Sequence, residues 1–169
     1  MKTILLNAYA FNLRYAHALI ADVEDNDMTH RPSAGFENHP AFTLGHLISG
    51  AALTVKYLGG TYDLNPEWEA LFKRKGPGDP RLPEPDRTRY PSKAEILQEL
   101  TRQHERVENL IRELDETKFA EPTTWRFNSY MPTLGDLIYF MCVTHESMHL
   151  GQLAAWRRAM RLPSALATL

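Results

Sequence analysis

Apolar residues recur at steps of three and four along four stretches of the chain, the spacing of amphipathic helices rather than strands. Leu6, Ala10, Leu13, His17 and Ile20 share one stripe and predict a helix from residue 1 to about 24. Asp22 to Ser33 is polar and closes on Arg31-Pro32-Ser33, a loop signal. A second helix is predicted to start at Pro40, because proline's missing N–H costs nothing at the first helical position; Asn38 or His39 is its cap. Its stripe is Phe42, His46, Ser49 or Gly50, Leu53 and Tyr57. Lys56 is the only charge between Pro40 and Leu58, so burial on most sides is expected, and Gly59-Gly60 ends the helix. Ser92-Lys93-Ala94-Glu95 reads as a capping box opening a third helix, with Ile96, Leu100, Val107, Ile111 and Leu114 along its apolar side and charges elsewhere. A fourth helix is predicted from near Thr133 to about Arg161, where Pro163 follows.

Residues 59–91 have another character. Six prolines and four glycines are scattered among Trp68, Phe72 and several charges, with room for a short helical turn near Pro66 to Lys73. A connection of that length can be a lid or binding loop, and it can carry the chain from one end of a bundle to the other. The fold class that follows is all-α: one domain over residues 1–169, a four-helix bundle with one long crossover connection between the second and third helices.

Composition narrows the class. The chain has 169 residues, 43% hydrophobic and 24% charged, with a net charge of −2. No basic run suits nucleic acid or anionic lipid. The one cysteine, Cys142, rules out an internal disulfide and makes a thiolate-based zinc site a poor expectation. The first ten residues do not resemble a signal peptide, and no apolar run is long enough to span a membrane. The expected location is the cytoplasm, with no nucleic-acid and no membrane partner.

The candidate chemistry lies in the histidines. On an ideal helix, at about 100° per residue, His145 and His149 project side by side one turn apart, and His46 sits mid-stripe on the second helix. A single histidine on an apolar face is more often a hydrogen-bonded core residue than a ligand. Two at i and i+4 on one buried stripe are harder to explain that way, since each needs a polar partner in a dry place. Two imidazoles so spaced can share one metal, and facing helices bring a third to it. His145-Glu146-Ser147-Met148-His149 also matches the H-E-x-x-H signature of zinc proteases. That reading is weak, because no His, Asp or Glu follows His149 and no strand pattern suggests a peptide-binding sheet.

Asn38 to Leu47, with His39-Pro40 and Gly45-His46, and His145 to Leu153, with H-x-x-x-H-x-G-Q, resemble the two histidine segments of the DinB/YfiT-like metalloenzyme family. Trp156-Arg157-Arg158 and Leu162-Pro163 continue the likeness. The resemblance implies a four-helix bundle with a three-histidine site for zinc or nickel, at His46, His145 and His149, commonly in a homodimer. Some members of that family are similar to thiol-dependent transferases or isomerases that use bacillithiol or mycothiol. The implied function is a metal-dependent enzyme that activates water or a low-molecular-weight thiol, for hydrolysis or thiol transfer on a small-molecule substrate. The alternative is a non-catalytic metal- or ligand-binding bundle.

Further residues carry two readings each. Glu146, about 60° from His149 on the wheel, is either a general base for a metal-bound water or an ordinary surface glutamate. Gln152 is a support for a ligand ring or a core amide. Cys142 is a small buried residue before it is a ligand or redox thiol. His17 and His104 read as satisfied core or boundary histidines, and His30 and His39 as structural. Trp68, Phe72, Trp125 and Phe127 either wall a pocket or simply pack. Finally, Tyr139, Phe140, Val143 and Leu150 fall on the far side of the fourth helix from His145. An apolar strip there predicts a homodimer built partly on that helix, unless the 59–91 connection covers it.

Overall fold

The structure is a computed structural model, and it describes residues 2–169 apart from 75, 77, 78 and 80. Those four lie inside the 59–91 connection, so part of that expectation falls outside the described residues. Among the described residues the chain is all-helical, with no strand. The elements are α1 (Lys2–Ile20), α2 (Pro40–Tyr57), a short α3 (Pro66–Phe72), α4 (Lys93–Glu113), α5 (Leu134–Tyr139) and α6 (Glu146–Ala159). A π-helical turn, Phe140–His145, joins α5 to α6 without a break in right-handed helical backbone. The expected fourth helix is therefore one rod with a wider turn in its middle. No helix is long and apolar enough to cross a membrane.

The helix ends follow the local chemistry. His39 caps α2, its Nδ1 accepting the Phe42 N–H at 3.2 Å while its Nε2–H donates to the Glu84 carbonyl at 3.0 Å. Both bonds need the neutral ring, and burial lowers its pKa to about 4. At the other end of α2, Gly59 takes φ +85°, and the N–H groups of Gly59 and Gly60 close on the carbonyls of Lys56 and Val55. That is a Schellman ending, which favours glycine at the left-handed position. The capping box of α4 forms as expected: the Ser92 Oγ accepts the Glu95 N–H, and the Glu95 carboxylate accepts the Ser92 N–H.

Packing pairs α2 with α4 and α1 with the π turn and α6. One apolar cluster fills one end of the bundle, including Leu19, Met28, Leu44, Ile96 and Trp156; a second fills the other, including Leu5, Tyr9, Val55, Ile111 and Ile138. Each such side chain contributes roughly 1.5–3 kcal/mol when fully buried. The α4 stripe is as expected, with Ile96, Leu100, Val107 and Ile111 all at 0% exposure. The α1 stripe needs correction. Leu6 and Ile20 of the expected stripe are core, but the core face otherwise runs through Leu5, Tyr9, Asn12, Ala16 and Leu19, while Ala10, Leu13 and His17 sit at its margin. The helix also ends at Ile20 rather than near residue 24.

The π turn explains a second correction. An extra residue in one turn rotates everything on one side of it relative to the other by about one residue's 100°. A single wheel drawn through residues 133–161 therefore misplaces half of its positions. The far-side apolar strip does not exist as drawn. Leu150 lies in regular α6 and is not moved by the turn; it is core at 1% exposure because α6 packs on α1 as well as on α2, while Val143 packs against the second cluster. Phe140 lies beneath Trp125 and Phe127, at centroid distances of 5.5 and 5.2 Å. Only Tyr139 of the four is largely exposed. The cover comes from the segment before α5, not from the 59–91 connection, and the homodimer expectation loses that strip as its basis.

Candidate metal centre

The π turn ends on His145, and His149 follows one α-turn later on α6, so both rings leave the rod on the side that faces α2. His46 meets them from α2. Its ring centroid lies 5.2 Å from that of His145 and 4.8 Å from that of His149. One ligand nitrogen from each of the three rings falls within 4.8 Å of the others. His46 Nε2 and His145 Nε2 are 3.3 Å apart. Two imidazole nitrogens at about 2.0–2.1 Å from one tetrahedral ion would be separated by roughly 3.4 Å, so this spacing suits a shared divalent ion.

The supporting bonds set the ring tautomers. His46 Nδ1–H donates to the Phe72 carbonyl at 3.2 Å, and His149 Nδ1–H donates to Gln152 Oε1 at 3.1 Å. Each bond leaves Nε2 with its lone pair facing the cluster, which is how a ligating histidine is normally held. Gln152 thus sits against a ligand ring, as its place on the stripe predicts. The sequence offers Phe72 only as a packing or pocket-wall residue, whereas it is the Phe72 backbone that carries the role. The approach that allows this depends on Gly45: a Cβ there would meet the Phe72 ring at 2.2 Å. A glycine one residue before a helix histidine is the one signal of it in the sequence.

Electrostatics keep the rings neutral. Burial, with the neighbouring His149 and His46, lowers His145 to about 3. Burial and His46 lower His149 to about 4, against the opposing Gln152 bond. His46 is lowered by burial and by the Arg74 guanidinium, against the Phe72 carbonyl. Metal ligation requires the neutral imidazole, so these shifts suit the donor set.

The other candidates lie elsewhere. The Glu146 carboxylate turns away from the three rings and meets His104 Nε2 of α4 at 2.7 Å, with both side chains about 4% exposed. Burial pushes its pKa up, and His104 opposes the rise. His104 in turn stacks on Tyr9 at 4.0 Å. Cys142 is buried in the second apolar cluster, which pushes its thiol pKa up, and its backbone carbonyl accepts from Asn12 Nδ2 at 3.1 Å. His17 pairs with Thr101, and the His30 carbonyl accepts from Trp156 Nε1. Trp125 and Phe127 cover Phe140.

A cavity of about 180 Å³ opens beside the histidines, its wall formed by His46, His145, Ser49, Tyr62, Lys73 and Arg74 among others. Tyr62, Lys73 and Arg74 come from the long connection, which therefore reaches the centre as a binding loop would.

A family model of the DinB superfamily matches residues 8–153, a span that includes all three histidines. The chain belongs to the DinB superfamily. Comparison with curated proteins gives no match, and comparison with solved structures gives none. The family and the cluster together make this a DinB-like protein with a three-histidine group of a kind compatible with a divalent metal.

Proposed function

We propose that this DinB-superfamily chain is a metal-dependent enzyme acting on a small molecule, with one divalent ion, zinc or nickel, held by His46, His145 and His149. The observation that carries the reading is the convergence of three neutral imidazoles whose supporting bonds turn two of the Nε2 atoms inward. Three neutral ligands leave the ion's charge uncompensated, and such an ion makes a bound water or low-molecular-weight thiol more acidic, toward hydrolysis or thiol transfer. The chain's own residues do the rest. Phe72 and Gln152 hold the rings in register, and the cavity beside His46 and His145 gives a small substrate a place next to the centre.

One observation favours the alternative of a non-catalytic metal-binding bundle: no Asp or Glu lines that cavity among the described residues, and Glu146 is engaged with His104. The deciding experiment is elemental analysis of protein purified without added metal, beside His149→Ala. The expected result is one divalent ion per chain in the wild type, none in the variant, and an unchanged helical circular dichroism spectrum. Wild-type protein that takes up no ion under metal-replete conditions would overturn the reading. A cytoplasmic location belongs to the same proposal and fits a chain whose single cysteine is a buried free thiol. A homodimer is retained as an expectation of the family resemblance alone; a single species at monomer mass in sedimentation would dismiss it.

A further inference from the structure

The cavity beside the histidines has a chemical bias. Arg74 and Lys73 contribute cationic side chains to its wall, and among the described residues no carboxylate does. Lys73 is already paired with Glu69 one turn back on α3, so its charge is largely met. Arg74 differs. Its guanidinium is half-buried and lies over the Phe42 ring, 4.4 Å from the centroid. One of its five N–H donors goes to the Arg81 backbone carbonyl, a neutral acceptor. The second element of the wall is Ser49. It is 7% exposed, and its Oγ is buried with no protein hydrogen-bond partner. A serine inside a helix ordinarily satisfies itself on the carbonyl one turn back, as Thr54 does on Gly50 at 2.9 Å. Ser49 lines the cavity, and its hydroxyl, buried just beneath that wall, is left with a hydrogen that no protein acceptor takes.

We infer that this cavity is an oxyanion subsite: Arg74 and Ser49 receive a carboxylate or phosphate group of the substrate while the remainder of that molecule reaches the three-histidine centre. The inference rests on the metal reading for the part of the substrate that reacts, but not for the binding of the anion. A partly desolvated guanidinium is a strong receptor for a planar or tetrahedral oxyanion, and a buried hydroxyl supplies the directed third bond. The size agrees. A cavity of about 180 Å³ holds roughly six water-sized groups, enough for an acid group and a few further atoms and too few for a polymer. Its position agrees as well, since Phe72, two residues before Arg74, already fixes His46 through its carbonyl. The same short stretch of the long connection thus orients a candidate ligand and brings in the cation.

The test uses the full chain as purified and again after chelation, so that it does not depend on bound metal. Acetate, inorganic phosphate and the neutral acetamide are titrated while arginine Nε–H and backbone amide signals are followed by ¹H–¹⁵N NMR, the backbone amides giving the affinity in variants that lack the Arg74 signal. The Arg74 signal is assigned by its loss in Arg74→Gln. The expected result is a saturable shift with acetate or phosphate and none with acetamide. Whichever anion binds more tightly identifies the substrate's acid group. Arg74→Gln should weaken binding by about tenfold, the size of one charge-assisted hydrogen bond, and Ser49→Ala by several-fold. Arg158→Gln, an exposed arginine on α6, should change nothing. Metal content should stay as in the wild type in Arg74→Gln. Acetamide shifting the signal as acetate does, or Arg74→Gln titrating like the wild type, would overturn the subsite and leave the metal centre standing. Arg74-dependent anion binding in a chain that never takes up metal would support the subsite and remove the metal reading instead.

Discussion

His145 and Glu146 are adjacent in sequence and serve two histidine clusters of opposite design. The His145 side faces α2, where three imidazoles converge beside a cavity with no carboxylate among them. The Glu146 side faces α4 and α1, where one carboxylate, one imidazole and the Tyr9 ring are sealed in the core. In the first cluster every ring keeps a lone pair or a proton in reserve. In the second, Glu146 Oε1 meets His104 Nε2, while Glu146 Oε2 is buried without a hydrogen-bond partner. Burial alone does not separate the two, since rings in both are largely buried. What separates them is whether the partners leave a coordination position open. A ligand set needs neutral donors and a gap, whereas a structural pair needs complementary charge and closure.

The largest effects come from removing each neighbour in turn. His145→Ala should abolish metal binding, a loss well beyond the roughly 10–100-fold that follows removal of a supporting group. It should leave the fold intact, because four helices bury the core without the ion. Glu146→Ala should do the reverse. It strands His104 in the core, and breaking a buried pair in this way costs about 3–5 kcal/mol. Urea unfolding followed by circular dichroism, with metal analysis on the same samples, reads both quantities. If Glu146→Ala is as stable as the wild type but loses turnover, Glu146 acts as a general base and the contrast between the clusters collapses.

A smaller change sharpens the open cluster. Gln152→Ala removes the acceptor that holds His149 Nδ1–H, so the ring is free to rotate and to shift its proton to Nε2. Metal affinity should fall by roughly 10–100-fold with the stoichiometry unchanged. Competition with a chromophoric chelator measures it. An affinity equal to the wild type would show that packing alone orients His149.

Much of this architecture is legible in the amino-acid sequence. The Ser92–Glu95 capping box, Pro40 and the Gly59-Gly60 ending each carry their chemistry within a few residues, and each forms as that chemistry dictates. His46, His145 and His149 are legible for a related reason: a histidine on an apolar stripe demands a partner, and i,i+4 spacing supplies one. Glu146, the outer side of the fourth helix and Arg74 are not. The outer side of the fourth helix fails because its wheel runs through a π turn, whereas Glu146 lies with His149 in regular α6, and only the position of His104 on α4 decides where its carboxylate goes. Nothing local announces that turn. Its Cys142 carbonyl is met by Asn12, more than a hundred residues away and buried in α1 at a position where the periodicity places no core residue. Arg74 follows two residues after Phe72, which packs onto Gly45, and apart from that glycine nothing in α2 or α3 announces the contact.

The smallest effect is a pH dependence in which the two clusters oppose each other. In metal-free protein His149 is lowered to about 4 and His145 to about 3, both below the ordinary 6.5, and the α2 cap His39, outside both clusters, adds to them with a value of about 4. Below 6.5 the unfolded chain takes up protons that the folded chain refuses, so these groups make stability fall as pH drops from 6.5 toward 4. Glu146 works the other way. Burial raises it above its ordinary 4.5, so the folded chain retains a proton that the unfolded chain has released, and stability falls as pH rises past 4.5 through the raised value. Between 4.5 and 6.5 the two contributions have opposite sign, and the wild-type profile should rise with pH less steeply than the histidines alone dictate. Glu146→Gln removes the opposing contribution. Its midpoint of urea unfolding should therefore climb more steeply over that interval than the wild type's, whatever its absolute stability. Adding zinc should steepen both profiles further, because protons and metal compete for the same three nitrogens. A Glu146→Gln profile parallel to the wild type would mean that the sealed carboxyl is not raised, and that its pairing with His104 outweighs burial.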